Sequence, residues 1–335
     1  MAGGRRSDPP QPLGTDHPVP PAPGRRAVRR SRPRREYDAA LLDLAHRAGA
    51  NVRVGHAIVG IKVDAKGATL AVDRMGEVRA TTVVAADGMW SPTRRLLRLA
   101  DKGYRGEWHA FRQYVADVGP AAADLHVWFE PDLLPGYAWS FPLSGRRANV
   151  GFGVLRGGRV AVGDTGRLWD ELLDRPAIRE VLGPSAQPVG RRMAWPIPAR
   201  VGSSALDHGP VLFAGDAAAV TDALTGEGIG QALLTGILAA EASLAGGGQD
   251  RVAARYRRWV LGDLRADHRM SVALQRILAR RIGADGAVRL AGISQWTRRN
   301  FARWMFEDYP RALVATPRRW SRGALSTSGA YQDSG

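Results

Sequence analysis

The segment from Val211 to Gly230 constrains the fold of this chain more than any other. An apolar run, Val211-Leu212-Phe213-Ala214, ends in Gly215-Asp216, and ten residues after that acid Gly226-Glu227-Gly228-Ile229 opens a helical stretch. In open α/β sheets, ligands bind beyond the carboxyl ends of the strands, and the amides at a helix start favour an electron-rich group. We therefore predict a ligand site in which Asp216 accepts hydrogen bonds from sugar-type hydroxyls. A glycine-containing loop at an ordinary helix start is the alternative.

A second strand ends in the same way. Thr82-Val83-Val84-Ala85-Ala86 leads into Asp87-Gly88, and Ser91-Pro92 then predicts the N-cap and first residue of a helix. The position of Asp87 predicts a second ligand contact, whereas a plain Asp-Gly turn is the other interpretation. Two such strand ends predict a mixed α/β fold with a Rossmann-like layer.

The middle of the chain is rich in aromatic residues. From Trp108 to Val154 the pattern predicts a mostly antiparallel sheet that covers the site. Tyr137, Trp139 and Phe141 alternate along one strand and predict an apolar wall, with ordinary core aromatics as the alternative. Further elements are expected as one helix over 168–182, a return strand over 191–200, and strands over 51–54, 57–63, 69–72 and 77–84.

Composition shifts divide the chain into regions. Residues 1–33 are rich in Pro, Gly and Arg, and we expect them to form a disordered arm. We assign 34–100 and 205–249 to a ligand-binding layer, 101–204 to the sheet that covers it, and 250–335 to a helical region rich in arginine.

Composition also excludes several classes of protein. The chain of 335 residues has no cysteine, so disulfides and thiolate metal sites are excluded, and its seven histidines lack a metal-binding spacing. No window is long and apolar enough for a membrane span, and we expect a cytoplasmic protein. The net charge of +16 comes almost wholly from arginine, but no nucleic-acid motif accompanies it, so no nucleic-acid partner is expected.

Three motifs in order resemble a known family. The segment VLFAGDAAAVTDALTGEGIGQALLTGILAA, residues 211–240, resembles the second flavin motif of the flavoprotein monooxygenase-like superfamily, and its GEGI version resembles the geranylgeranyl reductase family. The segment GYAWSFPLSGRRANVGFGV, residues 136–154, is similar to that family's Tyr-x-Trp-x-Phe-Pro signature and the strand after it. Residues 83–88 resemble the superfamily's Asp-Gly motif, and the resemblance covers roughly residues 34–245.

The resemblance implies FAD as the cofactor and gives each matching residue a role. Asp216 would bond the ribityl chain, Gly228 and Ile229 would present backbone to the isoalloxazine ring, and Arg34 would reach the phosphates or ribose. The positions that complete the implied site are Ile58 (or its neighbour Ala57) and Asp87 for the cofactor, and Tyr137, Trp139 and Phe141 for an isoprenoid substrate.

The reaction implied by the resemblance is hydride transfer from reduced FAD to a C=C bond of a polyprenyl chain, with NAD(P)H or another donor supplying electrons. A lipid-like substrate implies peripheral contact with a membrane. No side chain is assigned as a proton donor. Two alternatives remain, namely aromatic hydroxylation or halogenation through a flavin hydroperoxide, and a truncated, non-catalytic remnant.

The sequence departs from the family in one respect. The family begins with a strand, a G-x-G-x-x-G turn and a helix that hold the pyrophosphate of the cofactor, and no such unit precedes Arg34. The segment from Gly151 to Gly157 has nearly the glycine spacing of this turn, but no helix is expected after it. We therefore expect that the chain lacks the family's natural start and about half of the FAD contacts.

Overall fold

The structure is a computed structural model that describes residues 33–294, 296, 297, 301 and 312. The arm predicted over residues 1–33 lies, apart from Pro33, outside the described residues, as does most of the chain after Ser294.

The chain begins with a helix and a small antiparallel sheet. Helix α1 (Arg34–Arg47) has no buried residue, and strands β1 (Ile58–Asp64), β2 (Gly67–Val72) and β3 (Gly76–Ala80) pair in that order. Strand β4 (Val83–Ala85) belongs to a different sheet. Helix α2 (Pro92–Leu96) follows, and Ser91 caps it as predicted by accepting a hydrogen bond from the Arg94 amide at 3.1 Å.

The aromatic part of the chain forms the predicted antiparallel sheet. Its strands are β5 (Trp108–Ala116), β6 (His126–Trp128), β7 (Ala138–Leu143), β8 (Arg147–Leu155) and β9 (Gln187–Ile197), in the spatial order β6-β7-β8-β5-β9. Helices α3 (Thr165–Leu173) and α4 (Pro176–Leu182) cover one face. Trp169 and Leu172 of α3 are completely buried against Phe152 of β8 in the core between the sheet and these helices. The opposite face of the sheet is not covered by α3 and α4.

Three sequence predictions about local structure are wrong. The single helix expected over 168–182 is interrupted at Arg175, whose extended backbone is the conformation that a following proline favours. Residues 51–54 form no strand, and the strand expected over 77–84 is split between two sheets. The split coincides with exposed Thr81, where the chain leaves one sheet for the other.

After the five-stranded sheet, the chain adds two strands to the sheet that contains β4. Strand β10 (Asp207–His208) pairs antiparallel with β11 (Val211–Phe213), which in turn pairs parallel with β4. The five-stranded sheet is therefore an insertion between two parallel strands, and the predicted mixed α/β fold is confirmed.

Three helices complete the described part of the chain, α5 (Ile229–Leu244), α6 (Gln249–Leu278) and α7 (Arg281–Gly292). A hydrophobic core, called the first core below, lies between β11 and α6. Leu212 and Phe213 are completely buried there, each contributing about 1.5–3 kcal/mol. At the end of β11 the hydroxyl of Tyr256 on α6 donates to the backbone oxygen of Phe213.

Candidate functional site

The turn after β11 packs closely against helix α5. Gly215 has a φ of +58° and its amide donates to the Thr235 hydroxyl at 3.0 Å. A Cβ at Gly215 would lie 3.1 Å from the Cβ of Ala232, so glycine is needed both for the conformation and for the close approach. This turn carries Asp216 to the N-terminal end of α5.

The carboxylate of Asp216 is largely buried beside the start of that helix. Among the described residues, its one side-chain hydrogen bond comes from the Thr221 hydroxyl at 3.3 Å. Burial raises the pKa of Asp216, and the Thr221 bond and the charge of Arg34 oppose that effect. A carboxylate has about four acceptor positions, so Asp216 keeps capacity for further donors.

A space for a ligand adjoins this carboxylate. A Cβ added to Gly228 would lie 3.3 Å from the Thr221 hydroxyl and 3.6 Å from the Asp216 carboxylate. Asp216 also borders a cavity of about 250 Å³, which is rimmed by basic side chains that include Arg95 and Arg105. The arrangement fits a polyol chain that donates hydroxyls to Asp216, as the ribityl chain of a flavin would.

Arg94 fixes the position of the Asp216 turn. Its Nε donates to the backbone oxygen of Ala217 at 2.5 Å, and a second nitrogen of the same guanidinium donates to that of Ala205. Nothing in the sequence distinguished Arg94 from its neighbour Arg95, since both simply follow the cap of a short helix. The contact that matters joins residues 123 positions apart.

Three other predicted cofactor residues have different settings. Arg34 opens α1 and forms an ion pair with Asp38 at 3.0 Å. Ile58 begins β1 and is half-buried against the first core. Asp87 accepts a hydrogen bond from the Thr93 amide at 2.8 Å, so it supports the start of α2, and the adjacent Gly88 has the positive φ of a turn.

The loop between Asp216 and α5 is closed by its own hydrogen bonds. The Asp222 amide donates to the Glu227 oxygen at 2.9 Å, and the Gly226 amide donates to the Asp222 oxygen at 3.1 Å. The amide of Ile229, expected to face a flavin ring, is bonded by the Glu227 carboxylate at 2.9 Å. An anionic side chain thus occupies the helix start that the sequence assigns to a ligand.

The aromatic wall faces this loop. Tyr137, Trp139 and Phe141 stand in a row with successive ring centroids 5.9 Å apart, and the Tyr137 hydroxyl donates to the backbone oxygen of Thr225. These rings line a cavity of about 210 Å³ with Leu224 and other loop residues. That volume is below the roughly 300–1,000 Å³ of typical ligand sites, so it suits one part of a long apolar molecule.

Comparison with known proteins identifies the family. Residues 30–236, more than half of the chain, match the model of the FAD binding domain family. The chain belongs to this family, and FAD is its cofactor.

Named relatives support the resemblance to geranylgeranyl reductases, and solved structures share the fold. The chain is 32% identical over 67% of its length to digeranylgeranylglycerophospholipid reductase 1 of Methanopyrus kandleri and covers 60% of that protein. It is 32% identical over 71% of its length to menaquinone reductase of Mycolicibacterium smegmatis, again covering 60%. A geranylgeranyl bacteriochlorophyll reductase-like structure from Thermoplasma acidophilum shares the fold with a TM-score of 0.65 at 22% identity, over 84% of this chain and 74% of that one.

The flavin-dependent halogenase CmlS also shares the fold, with a TM-score of 0.59 at 24% identity, over 73% of this chain and 46% of the halogenase.

The chain spans about 60% of the length of the two reductase relatives described above. In the part of the chain that the structure describes, no helix combines the length and apolar character needed to cross a bilayer.

Proposed function

We propose that this chain serves an FAD-dependent reductase that transfers hydride to a C=C bond of an isoprenoid lipid. The observation that carries the proposal is the contact between Tyr137 and Thr225, which joins the aromatic wall to the loop that leads to Gly228. An apolar cavity therefore lies directly beside the residues that fit a flavin. The names of the reductase relatives support a lipid-like substrate.

In this proposal one layer binds the cofactor and the other binds the substrate. Residues 34–100 and 205–249 hold the cofactor, and residues 101–204 supply the wall of the substrate site. Asp216 accepts hydroxyls of the ribityl chain, and Gly228 and Ile229 pass the edge of the ring. Arg34 reaches the phosphates or ribose, Ile58 is a further cofactor contact, and Asp87 acts mainly by supporting α2.

The chain's own side chains would orient the substrate and exclude water. When bound, reduced FAD would supply the hydride. The aromatic-lined cavity would hold the alkene and exclude water from it. Tyr137, Trp139 and Phe141 present ring faces to an alkene without hydrogen-bonding it. The Ile229 amide becomes available to the flavin once the Glu227 carboxylate swings away from it.

Peripheral membrane contact is part of the proposal, and helix α7 supports it. Ile282, Leu290 and Ile293 lie on one side of the segment and are 89%, 64% and 70% exposed. Arg281 and Arg289 lie on the same helix. Exposed apolar residues beside arginines are typical of helices that lie on anionic lipid surfaces.

The test of the reaction is a single turnover without oxygen. Purified protein would be loaded with FAD, reduced with dithionite and mixed with geranylgeranyl diphosphate, and the product would be analysed by mass spectrometry. Reoxidation of the flavin with a product heavier by two hydrogens supports the proposal. Addition of oxygen or halogen in an aerobic assay with an aromatic substrate would instead establish the monooxygenase or halogenase alternative. Absence of FAD binding would establish a non-catalytic remnant.

A further inference from the structure

Asp222 is buried in the loop between Asp216 and α5 (residues 217–228), which is called the flavin loop below. The residue is only 7% exposed. The oxygen Oδ1 accepts three hydrogen bonds, from the Leu224 amide at 3.0 Å, the Thr225 amide at 2.8 Å and the Thr225 hydroxyl at 2.9 Å. One carboxylate oxygen thus fixes the backbone of the residues immediately before Gly226.

The second oxygen of the same carboxylate is bonded by helix α6. The hydroxyl of Ser271, which is completely buried, donates to Oδ2 of Asp222 at 2.7 Å. One turn further along α6, Gln275 donates from Nε2 to the Ala223 backbone oxygen at 2.8 Å. Helix α6 therefore holds the flavin loop at two successive residues.

The other half of α6 is fixed in the first core. Tyr256 on that half bonds the backbone oxygen of Phe213, the residue that ends β11 just before the Asp216 turn. A helix of 30 residues is about 45 Å long and rigid on this scale. The same element therefore contacts both the strand that positions Asp216 and the loop that positions Gly228.

We infer that Asp222 and Ser271 are positioning residues, which hold the flavin loop on α6 so that Gly228 and the start of α5 fit the flavin ring. The inference rests on the proposed function, because it assigns these residues to the same FAD site. It also gives helix α6, which lies in the region that the sequence separates from the cofactor layer, a direct part in cofactor binding.

The physical reason is the loss of a donor to a buried carboxylate oxygen. Hydrogen bonds to charged groups stabilise more than neutral ones, and a buried acceptor that loses a donor is destabilised. Without the Ser271 hydroxyl, Oδ2 of Asp222 loses a hydrogen bond that ties the loop to α6. The loop, including Gly226 and Gly228, is then held less firmly on that helix.

The experiment compares matched serine variants in the full chain. Ser271→Ala removes the bond to Asp222, whereas Ser243→Ala removes a hydroxyl that, within the described part of the chain, donates to the Ala239 oxygen of its own helix. We expect Ser271→Ala to weaken FAD binding about tenfold in a fluorescence titration and to change the vibronic structure of the bound flavin's absorption. Ser243→Ala should leave the FAD dissociation constant and the spectrum unchanged.

Substitutions of Asp222 distinguish a role in positioning the loop from a general effect on folding. Asp222→Ala removes the four hydrogen bonds described above and should weaken FAD binding further. Asp222→Asn keeps Oδ1 as an acceptor and places a donor opposite the Ser271 hydroxyl, so it should restore most of the affinity. Hydrogen exchange without flavin should show faster exchange of the Leu224 and Thr225 amides in Ser271→Ala.

The outcomes distinguish this inference from the function on which it rests. Equal FAD affinity, spectrum and loop exchange in Ser271→Ala and the native protein would overturn the inference alone. Equal loss in Ser271→Ala and Ser243→Ala would also overturn it, because the effect would then be general. A native protein that binds no FAD would overturn the proposed function and the inference together.

Discussion

The guanidinium carbon of Arg94 lies 4.0 Å from the ring centroid of Phe213. The same guanidinium donates to the backbone oxygens of Ala217 and Ala205. One side chain on α2 therefore stacks on the last residue of β11 and bonds the turn that follows it. The two strand ends that the sequence identified separately are joined by this arginine.

Arg94→Met should destabilise the fold markedly. The substitution leaves two carbonyl oxygens without their donor and removes the stacking contact, at about 1–3 kcal/mol for an unpaired buried group and about 0.5–2 kcal/mol for the cation–π contact. We expect the free energy of unfolding in urea to fall by roughly 2–4 kcal/mol. Arg95→Met, at the exposed neighbouring position, is the control and should change it by less than about 0.5 kcal/mol. Equal losses would show that Arg94 contributes only charge.

Tyr137→Phe should loosen the loop without removing the aromatic wall. The ring stays beside Trp139, but the Thr225 oxygen loses a buried donor. A single neutral hydrogen bond contributes about 0.5–1.5 kcal/mol, so we expect a loss of that size in urea unfolding and weaker FAD binding. Tyr114→Phe, on the same face of the sheet, is the comparison, and its ring keeps the contact with Arg112. A Tyr137→Phe protein with native stability and FAD affinity would contradict the role of this bond.

Asp216→Asn should stabilise the protein while weakening the cofactor site. Burial raises the pKa of Asp216 above its ordinary value, so ionisation is less favourable in the folded state than in the unfolded one. The resulting penalty is absent well below the ordinary aspartate pKa and grows as pH rises through the raised value.

Urea unfolding of both proteins at several pH values checks this sign. Near pH 7 the Asp216→Asn variant should be the more stable, and the difference should shrink as the pH falls towards about 4. FAD affinity at neutral pH should fall, because in the proposed site this carboxylate accepts hydrogen bonds from the ribityl hydroxyls. A stability difference that grows on acidification would show that the carboxylate is stabilised, not penalised, by its surroundings.

The fold and the backbone of the site could be predicted because their signals are local. The strand before Asp216 is apolar throughout, Gly215 and Gly226 mark backbone with a positive φ, and Ser91-Pro92 marks the start of α2. The alternation of Tyr137, Trp139 and Phe141 likewise places these rings on one face.

The residues that hold the site together could not be predicted, because their partners are distant in sequence. Ser271 reaches Asp222 across 49 residues, and Gln275 reaches Ala223 across 52. In the sequence both lie in an arginine-rich helix whose pattern indicates only a solvated face and a buried one. The ion pair of Arg34 with Asp38 and the capping role of Asp87 are also local alternatives to ligand binding, and only coordinates reveal them.

Two glycines of β8 provide a further contrast, since both lie behind the aromatic wall. A Cβ at Gly151 would lie 2.5 Å from the Phe111 backbone oxygen and 2.5 Å from Cζ2 of Trp139, whereas one at Gly153 would meet nothing within 4 Å. Gly151→Ala must therefore displace the indole and distort the sheet. Overpacking of this kind costs about 1–3 kcal/mol or more.

Gly153→Ala tests the cavity without that strain. Gly153 lines the aromatic-lined cavity of the proposed substrate site, and its added methyl group enters open space, so urea unfolding should change by less than about 0.5 kcal/mol. The methyl group narrows the site beside Tyr137, and a change of one methyl in an apolar pocket alters binding by about 1–3 kcal/mol. We therefore expect Gly153→Ala to keep its FAD affinity and weaken isoprenoid binding by about tenfold or more, measured as quenching of tryptophan fluorescence. Because the altered volume belongs to the cavity alone, unchanged isoprenoid affinity in this stable variant would place the substrate elsewhere.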